Sequence, residues 1–199
     1  MITNLADSIA HFFVRKGWGS DQNREIYRYG CEVILSALIS ILLVIGCGLL
    51  FRMTGAALLF YLVFLVLRRY CGGYHAETYL RCNTIFTITM VLVLFGISEY
   101  QTIPSYALVI ASVVSFLIVA WFSPVSHKNK PLKKREIVIY QKVAVSISGV
   151  LLSLVIILLQ FEREIATIIT LAMLTTSIAM IVSVVMERSE KNERNCNAR

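Results

Sequence analysis

VILSALISILLVIGCGLLF, running from Val33 to Phe51, decides the fold class. It carries no charged side chain, and its only hydroxyl groups are Ser36 and Ser40. Its apolar residues are unbroken and do not form a stripe along one face. A helix needs about 20 apolar residues to cross the hydrocarbon of a bilayer, and this run supplies them. Working outward, five more apolar segments follow, near 53–67, 84–98, 104–123, 143–159 and 165–186. None contains a charged residue. The second and third are short for a straight span, and Arg68 and Arg69 are placed to extend the second by snorkelling. Only Arg52, Met53, Thr54 and Gly55 separate the first pair, which predicts a tight helical hairpin. The composition agrees: 57% of residues are hydrophobic and 16% charged, where a soluble domain carries about 25% charged residues. The expectation is an all-α polytopic membrane protein, read as one membrane domain over 1–199. Within it, 1–30 forms an amphipathic N-terminal region, 33–186 the six spans, and 187–199 a tail.

The charges of the connections set the expected topology. Arg15, Lys16, Arg24 and Arg28 precede the first span, and Arg52 alone follows it. Arg68, Arg69 and Arg81 lie in the next connection, and none near Glu99. Lys128, Lys130, Lys133, Lys134 and Arg135 follow, then Arg163 between two glutamates, then Arg188, Lys191, Arg194 and Arg199. Rich and poor connections alternate strictly. The positive-inside rule then places both termini, the 68–82 stretch and the 128–135 cluster in the cytoplasm. Six spans fit this alternation and five break it.

The N-terminal residues 2–16 are amphipathic, with Leu5, Ile9, Phe12 and Phe13 recurring at helical spacing. Two placements are open: a helix in the membrane interface, or a helix packed on the rest of the protein. Asp7 and His11 in this stretch, without a basic leading region, argue against a secretory signal peptide. The five cysteines, Cys31, Cys47, Cys71, Cys82 and Cys196, are odd in number and irregular in spacing. No disulfide framework is expected. His11 and His127 have no evident partner. No phosphate-binding loop, zinc-protease or nucleophile-elbow motif occurs, and nothing in the chain points to nucleic acid.

Chemistry concentrates between the second and third spans, in Arg68-Arg69-Tyr70-Cys71-Gly72-Gly73-Tyr74-His75-Ala76-Glu77-Thr78-Tyr79-Leu80-Arg81-Cys82. Three readings of this stretch are open. A thiol nucleophile needs a base to take its proton, and His75 can serve Cys82. Seven residues on one helix separate them by about 10.5 Å of rise, so a dyad requires the chain between Gly72 and Thr78 to bend. Gly72-Gly73 makes a bend inexpensive. Thr78 is then the candidate cap of the third span, with Cys82 in its first turn, where the positive end of the helix dipole favours a thiolate. The second reading is a metal site from Cys71, His75 and Cys82, for which no fourth ligand is evident. The third is a polar loop without chemistry.

These residues resemble the signature of the AgrB family, the membrane peptidases of bacterial accessory gene regulator quorum sensing. That signature has a double Arg, a Gly, a His followed by Ala, and a Cys seven residues beyond the His. Here these are Arg68-Arg69, Gly73, His75-Ala76 and Cys82. Phe122-Ser123-Pro124 followed by Lys128-Asn129-Lys130-Pro131-Leu132 resembles the family's cytoplasmic loop. Length, six spans and the amphipathic N-terminus agree, so the resemblance covers nearly the whole chain. Cys71 lies outside the motif.

The resemblance implies a cysteine endopeptidase of the bacterial cell membrane, working at the cytoplasmic face without a cofactor. It would remove the C-terminal segment of an AgrD-type pheromone precursor. Cys82 would form a thioester that a Cys or Ser of the precursor displaces, giving a thiolactone or lactone ring. Beside the catalytic pair His75 and Cys82, the substrate-binding candidates are Arg68, Arg69, Gly73, Glu77, Lys128, Lys130, Lys133, Lys134 and Arg135. Each has a plainer role available: snorkelling for the two arginines, solvation for Glu77, topology for the basic cluster. Partners are then the precursor and membrane lipid, with a homodimer left open. Two rivals remain. A peptide-binding scaffold would keep the topology without needing Cys82, and a small transporter would place ionisable residues inside its spans.

Overall fold

The computed structural model describes residues 2–18, 20–72, 79–125 and 134–197. Its seven α-helices are α1 (Ile2–Arg15), α2 (Arg24–Leu50), α3 (Thr54–Cys71), α4 (Tyr79–Ser98), α5 (Ser105–Phe122), α6 (Lys134–Leu158) and α7 (Arg163–Asn197). A short 3-10 turn, Asp21–Asn23, precedes α2. No strand occurs among the described residues. Helices α2 to α7 are each long and apolar enough to cross a membrane, so the chain is an all-α, multi-pass membrane protein.

The spans are longer than the apolar segments that announce them. The second and third run to 18 and 20 residues, which at 1.5 Å per residue is about 27–30 Å and enough for the hydrocarbon. The extra turns are polar: α3 continues through Arg68-Arg69-Tyr70-Cys71 and the described part of α4 begins three residues before Cys82. Arginine and tyrosine extend a helix as readily as most apolar residues do. Hydropathy therefore marks the buried stretch and misses where the helix ends. For the same reason α7 runs on to Asn197, eleven residues past Met186. Lys142, outside the expected fifth span, is inside α6, exposed and two turns from its start.

The hairpin of α2 and α3 closes as the sequence predicts. The amide of Arg52 donates to Leu49 O (3.1 Å) and that of Met53 to Gly48 O (2.8 Å). This is a Schellman closure whose left-handed position is held by Arg52, at φ 57°, instead of glycine. Gly48 lets the helices touch, since a Cβ there would lie 2.8 Å from Thr54 Cα and 3.1 Å from Ala57 Cβ.

Helices α3 and α7 form the centre. One apolar core joins them to α2 and α4 through Val44, Phe60, Phe64, Met90, Leu94 and Ile168. A second joins them to α5 and α6 through Leu67, Cys71, Val119, Ala144, Val155 and Met173. Between α5 and α7 the contact is polar. Ser112 Oγ lies 3.0 Å from Thr170 Oγ1, and Ser177 Oγ donates to Ser115 O at 3.3 Å, all fully buried. Lipid tails give apolar side chains no reason to prefer a neighbouring helix, so small residues and interhelical hydrogen bonds hold such seams. The guanidinium of Arg163 donates to the Ile103 carbonyl, tying the first residue of α7 to the connection before α5.

Both placements weighed for the N-terminal helix have a face. α1 packs on α2 through Ala6 and Ala10, which are fully buried, while Leu5 and Phe12 stay about half exposed. Arg24 Nη2 closes the pair on Asp7 at 2.9 and 3.2 Å, which holds the Asp7 carboxyl below its ordinary range. His11, partnerless in the sequence, lies 3.8 Å from the same carboxylate.

Candidate functional site

One end of the bundle gathers the C-terminus of α3, the N-terminus of α4, the chain leaving α5 and the first turns of α6. Cys82 is the fourth described residue of α4, a half-buried free thiol. The described part of α4 begins at Tyr79, and α3 has ended before it. The helix stops at Cys71, and Gly72 adopts φ 76°, ψ −158°, a region essentially confined to glycine. No continuous helix therefore runs from Arg68 to Cys82. Gly73, His75, Glu77 and the cap candidate Thr78 fall outside the described residues, and with them the approach of His75 to Cys82.

An aromatic ladder fixes α3 against α4. The Phe60 and Phe64 rings stack at 5.8 Å, Phe64 meets Phe86 at 6.3 Å, and Tyr61 meets Phe86 edge-on at 5.7 Å. Phe86 is one turn from Cys82 on the same face of α4. The guanidinium of Arg68 sits over the Phe64 ring, 5.6 Å from its centre. Arg68, half-buried and one turn beyond Phe64, thus comes to the same end of the α3–α4 pair as Cys82, one turn before Phe86. Arg69, by contrast, is exposed.

Cys71 is separated from this arrangement by burial. It is fully buried in the second core, among Leu67, Val119 and Ala144. Its carbonyl accepts from the Val125 amide at 2.9 Å, and the edge-on pair Tyr70–Tyr140 (5.9 Å) ties the same turn to α6. The chain after α5 therefore docks on the end of α3, a juxtaposition the sequence reading did not contain. Its only sequence traces are the Gly72-Gly73 pair and Pro124. Of the basic cluster, Lys134 opens α6 and Arg135 is exposed in its first turn. Lys128, Lys130 and Lys133 lie outside the described residues.

The arrangement leaves one thiol of the stretch within reach of an incoming group. The thiol is partly open while the other cysteine of the stretch is not.

Comparison with known proteins bears on this geometry. The sequence model described as Accessory gene regulator B matches residues 6–184. An AgrB-like protein of Clostridium perfringens (strain SM101 / Type A) is 32% identical over 142 residues, 68% of this chain and 66% of that protein. The Accessory gene regulator protein B of Staphylococcus intermedius is 29% identical over 110 residues, 55% of this chain and 58% of that one. An AgrB-like protein of Lactiplantibacillus plantarum is 27% identical over 151 residues, 75% of this chain and 74% of its own. The match thus spans just under two thirds of the first of these relatives. No solved structure matches.

Proposed function

This chain belongs to the accessory gene regulator B family, and we propose that it is a cysteine endopeptidase of the bacterial cell membrane acting on a quorum-sensing peptide precursor. The observation that carries the reading is Cys82 itself: a half-buried free thiol one turn from Phe86, at the end of the α3–α4 pair where Arg68 is braced on Phe64. Cys31 and Cys47 are half-buried too, so access alone does not single out Cys82; its place in the 68–82 motif, at the end of the bundle that carries Arg68, does.

The chemistry follows from what each group can do. His75 takes the Cys82 proton, and the thiolate attacks the scissile carbonyl of the precursor. His75 then returns the proton to the leaving amine as the C–N bond breaks. The products are the released C-terminal segment and a thioester on Cys82. A thiol or hydroxyl of the precursor attacks that thioester, its proton passes to the Cys82 sulfur, and the ring closes as a thiolactone or lactone. This is acyl transfer, so water must be kept from the thioester. Making a thiolactone from an amide is uphill, and removal of the tail or of the ring draws the reaction forward.

In this reading both termini and the end of the bundle holding Cys82 face the cytoplasm, following the alternation of basic connections. Arg69, Gly73, Glu77 and the cluster Lys128, Lys130, Lys133, Lys134 and Arg135 contact the precursor. The single membrane domain spans 1–199, with lipid beside the exposed face of α1.

The test is co-expression with a candidate precursor gene encoded beside this one. With Cys82 intact the precursor is shortened and a ring product appears; with Cys82→Ala neither occurs and full-length precursor accumulates. Processing by Cys82→Ala at the wild-type rate would leave a binding or transport protein instead.

A further inference from the structure

Gly72 stands where two backbones meet. Its N–H donates to Arg68 O at 3.1 Å, and the neighbouring Cys71 carbonyl accepts from the Val125 amide at 2.9 Å. A Cβ added at Gly72 would collide with Val125 O and lie 3.2 and 3.3 Å from Val125 C and N. All three are backbone atoms that cannot swing aside as a side-chain end can. The conformation of Gly72, at φ 76° and ψ −158°, disfavours other residues independently, since this region is essentially confined to glycine. Two separate constraints thus demand the absence of a side chain at one position.

What that position secures is the last turn of α3. A helix end leaves four carbonyls without intrahelical partners, and here Gly72 N–H and Val125 N–H satisfy those of Arg68 and Cys71. That turn carries Arg68, whose guanidinium is braced on Phe64, which meets Phe86, one turn from Cys82. We propose that Gly72 is a positioning residue: by admitting the Val125 backbone it locks the end of α3 and so holds the Arg68 charge against the Cys82 sulfur. Val125 is its counterpart on the other strand of chain. The inference adds two residues to the site proposed above and gives them a role in the reactivity of the thiol.

A pair of alkylating reagents reads the local charge directly. Iodoacetate is anionic and iodoacetamide neutral, so the ratio of their rates at Cys82 rises with positive potential at the sulfur, while a change in exposure alone moves both rates together. The full chain in lipid vesicles is labelled at neutral pH, and Cys82 is followed by mass spectrometry of its peptide. Arg68→Gln should lower the ratio by about threefold. Gly72→Ala should lower it similarly, and so should Val125→Pro, which removes the donated N–H without touching Gly72. Gly55→Ala, with nothing within 4 Å of its Cβ, should leave the ratio as in the wild type. Arg68→Gln combined with Gly72→Ala should fall no further than either alone, because both act through one charge.

A wild-type ratio in Gly72→Ala and Val125→Pro, or a double variant whose effects add fully, would overturn the inference. The labelling needs no precursor. Failure of the wild-type chain to process a precursor therefore sinks the peptidase reading, while the ratio still decides the role of Gly72.

Discussion

At the scale of residues, the two cysteines of the 68–82 stretch make opposite predictions. Cys82→Ala should abolish precursor processing, and Cys82→Ser should come close to it, because a serine hydroxyl is far harder to ionise beside the same histidine. His75→Ala should also abolish processing while leaving the protein in the membrane. Cys71→Ala should retain processing per folded molecule, because the Cys71 thiol is sealed in the core with Leu67 and Val119. Its cost belongs to packing, of the order of 1 kcal/mol for the small cavity. Quantifying precursor and ring product by mass spectrometry across the four variants separates the dyad from a metal site, which predicts loss at positions 71, 75 and 82 alike. The motif that points to Cys82 was readable from residue types and spacing. The burial that silences Cys71 was not, because only the packing of α5 and α6 against α3 creates it.

Among the elements, the α2–α3 hairpin and the α1–α2 clasp each carry a prediction. Gly48→Val forces a branched side chain to within 2.8 Å of Thr54 Cα and should destabilise the hairpin by about 1–3 kcal/mol, seen as a lower unfolding midpoint in detergent. Arg52→Gly should do the reverse, gaining about 1 kcal/mol by relieving a left-handed arginine. The Asp7–Arg24 clasp depends on acid. The folded Asp7 carboxyl is held low, chiefly by the hydrogen bond from Arg24. Its contribution is therefore complete above the unfolded value of about 3.9 and is lost as pH falls through the lower folded value. Trp18 fluorescence should stay constant from neutral pH to about pH 5 and change only in stronger acid. In Arg24→Gln, Asp7 loses the partner that holds it low, so the change should begin at higher pH. The hairpin was legible from its short connection. The Schellman closure on an arginine was not, since sequence preference there is for glycine.

For the whole molecule, topology and charge are one question. Reporter fusions after Gln101 and after Lys134 should report opposite sides of the membrane, with the second inside; the same side for both would break the six-span arrangement. If the basic cluster from Lys128 to Arg135 holds the precursor, raising ionic strength should weaken binding measurably, because exposed charges are screened beyond about 8 Å at physiological salt. Binding indifferent to salt would leave the cluster with orientation alone. Helices α3 and α7 take the central places although α2 has the highest mean hydropathy of the six spans. The α7 stretch is 44% buried against 11% for α2, and its buried polar residues Thr167, Thr170, Thr176 and Ser177 bear on this. In lipid, hydrogen bonds and small side chains select the inner helices, and apolar ones are content outside.

The sequence by itself determined the number of candidate spans, the alternation of basic and non-basic connections and the thiol worth testing. Each of these rests on local quantities: a run of apolar residues long enough for the bilayer, basic residues in alternate connections, and a His and Cys at fixed spacing. Only the tertiary structure decided which helices lie inside, that Arg68 is braced on Phe64 at the Cys82 end of the pair, that Cys71 is shut away, and that the chain after α5 docks on Gly72. Those outcomes join residues far apart in sequence, such as Cys71 with Val125 and Ser112 with Thr170. Their free energy comes from close approach and from paired backbone groups, neither of which leaves a periodic trace along the chain.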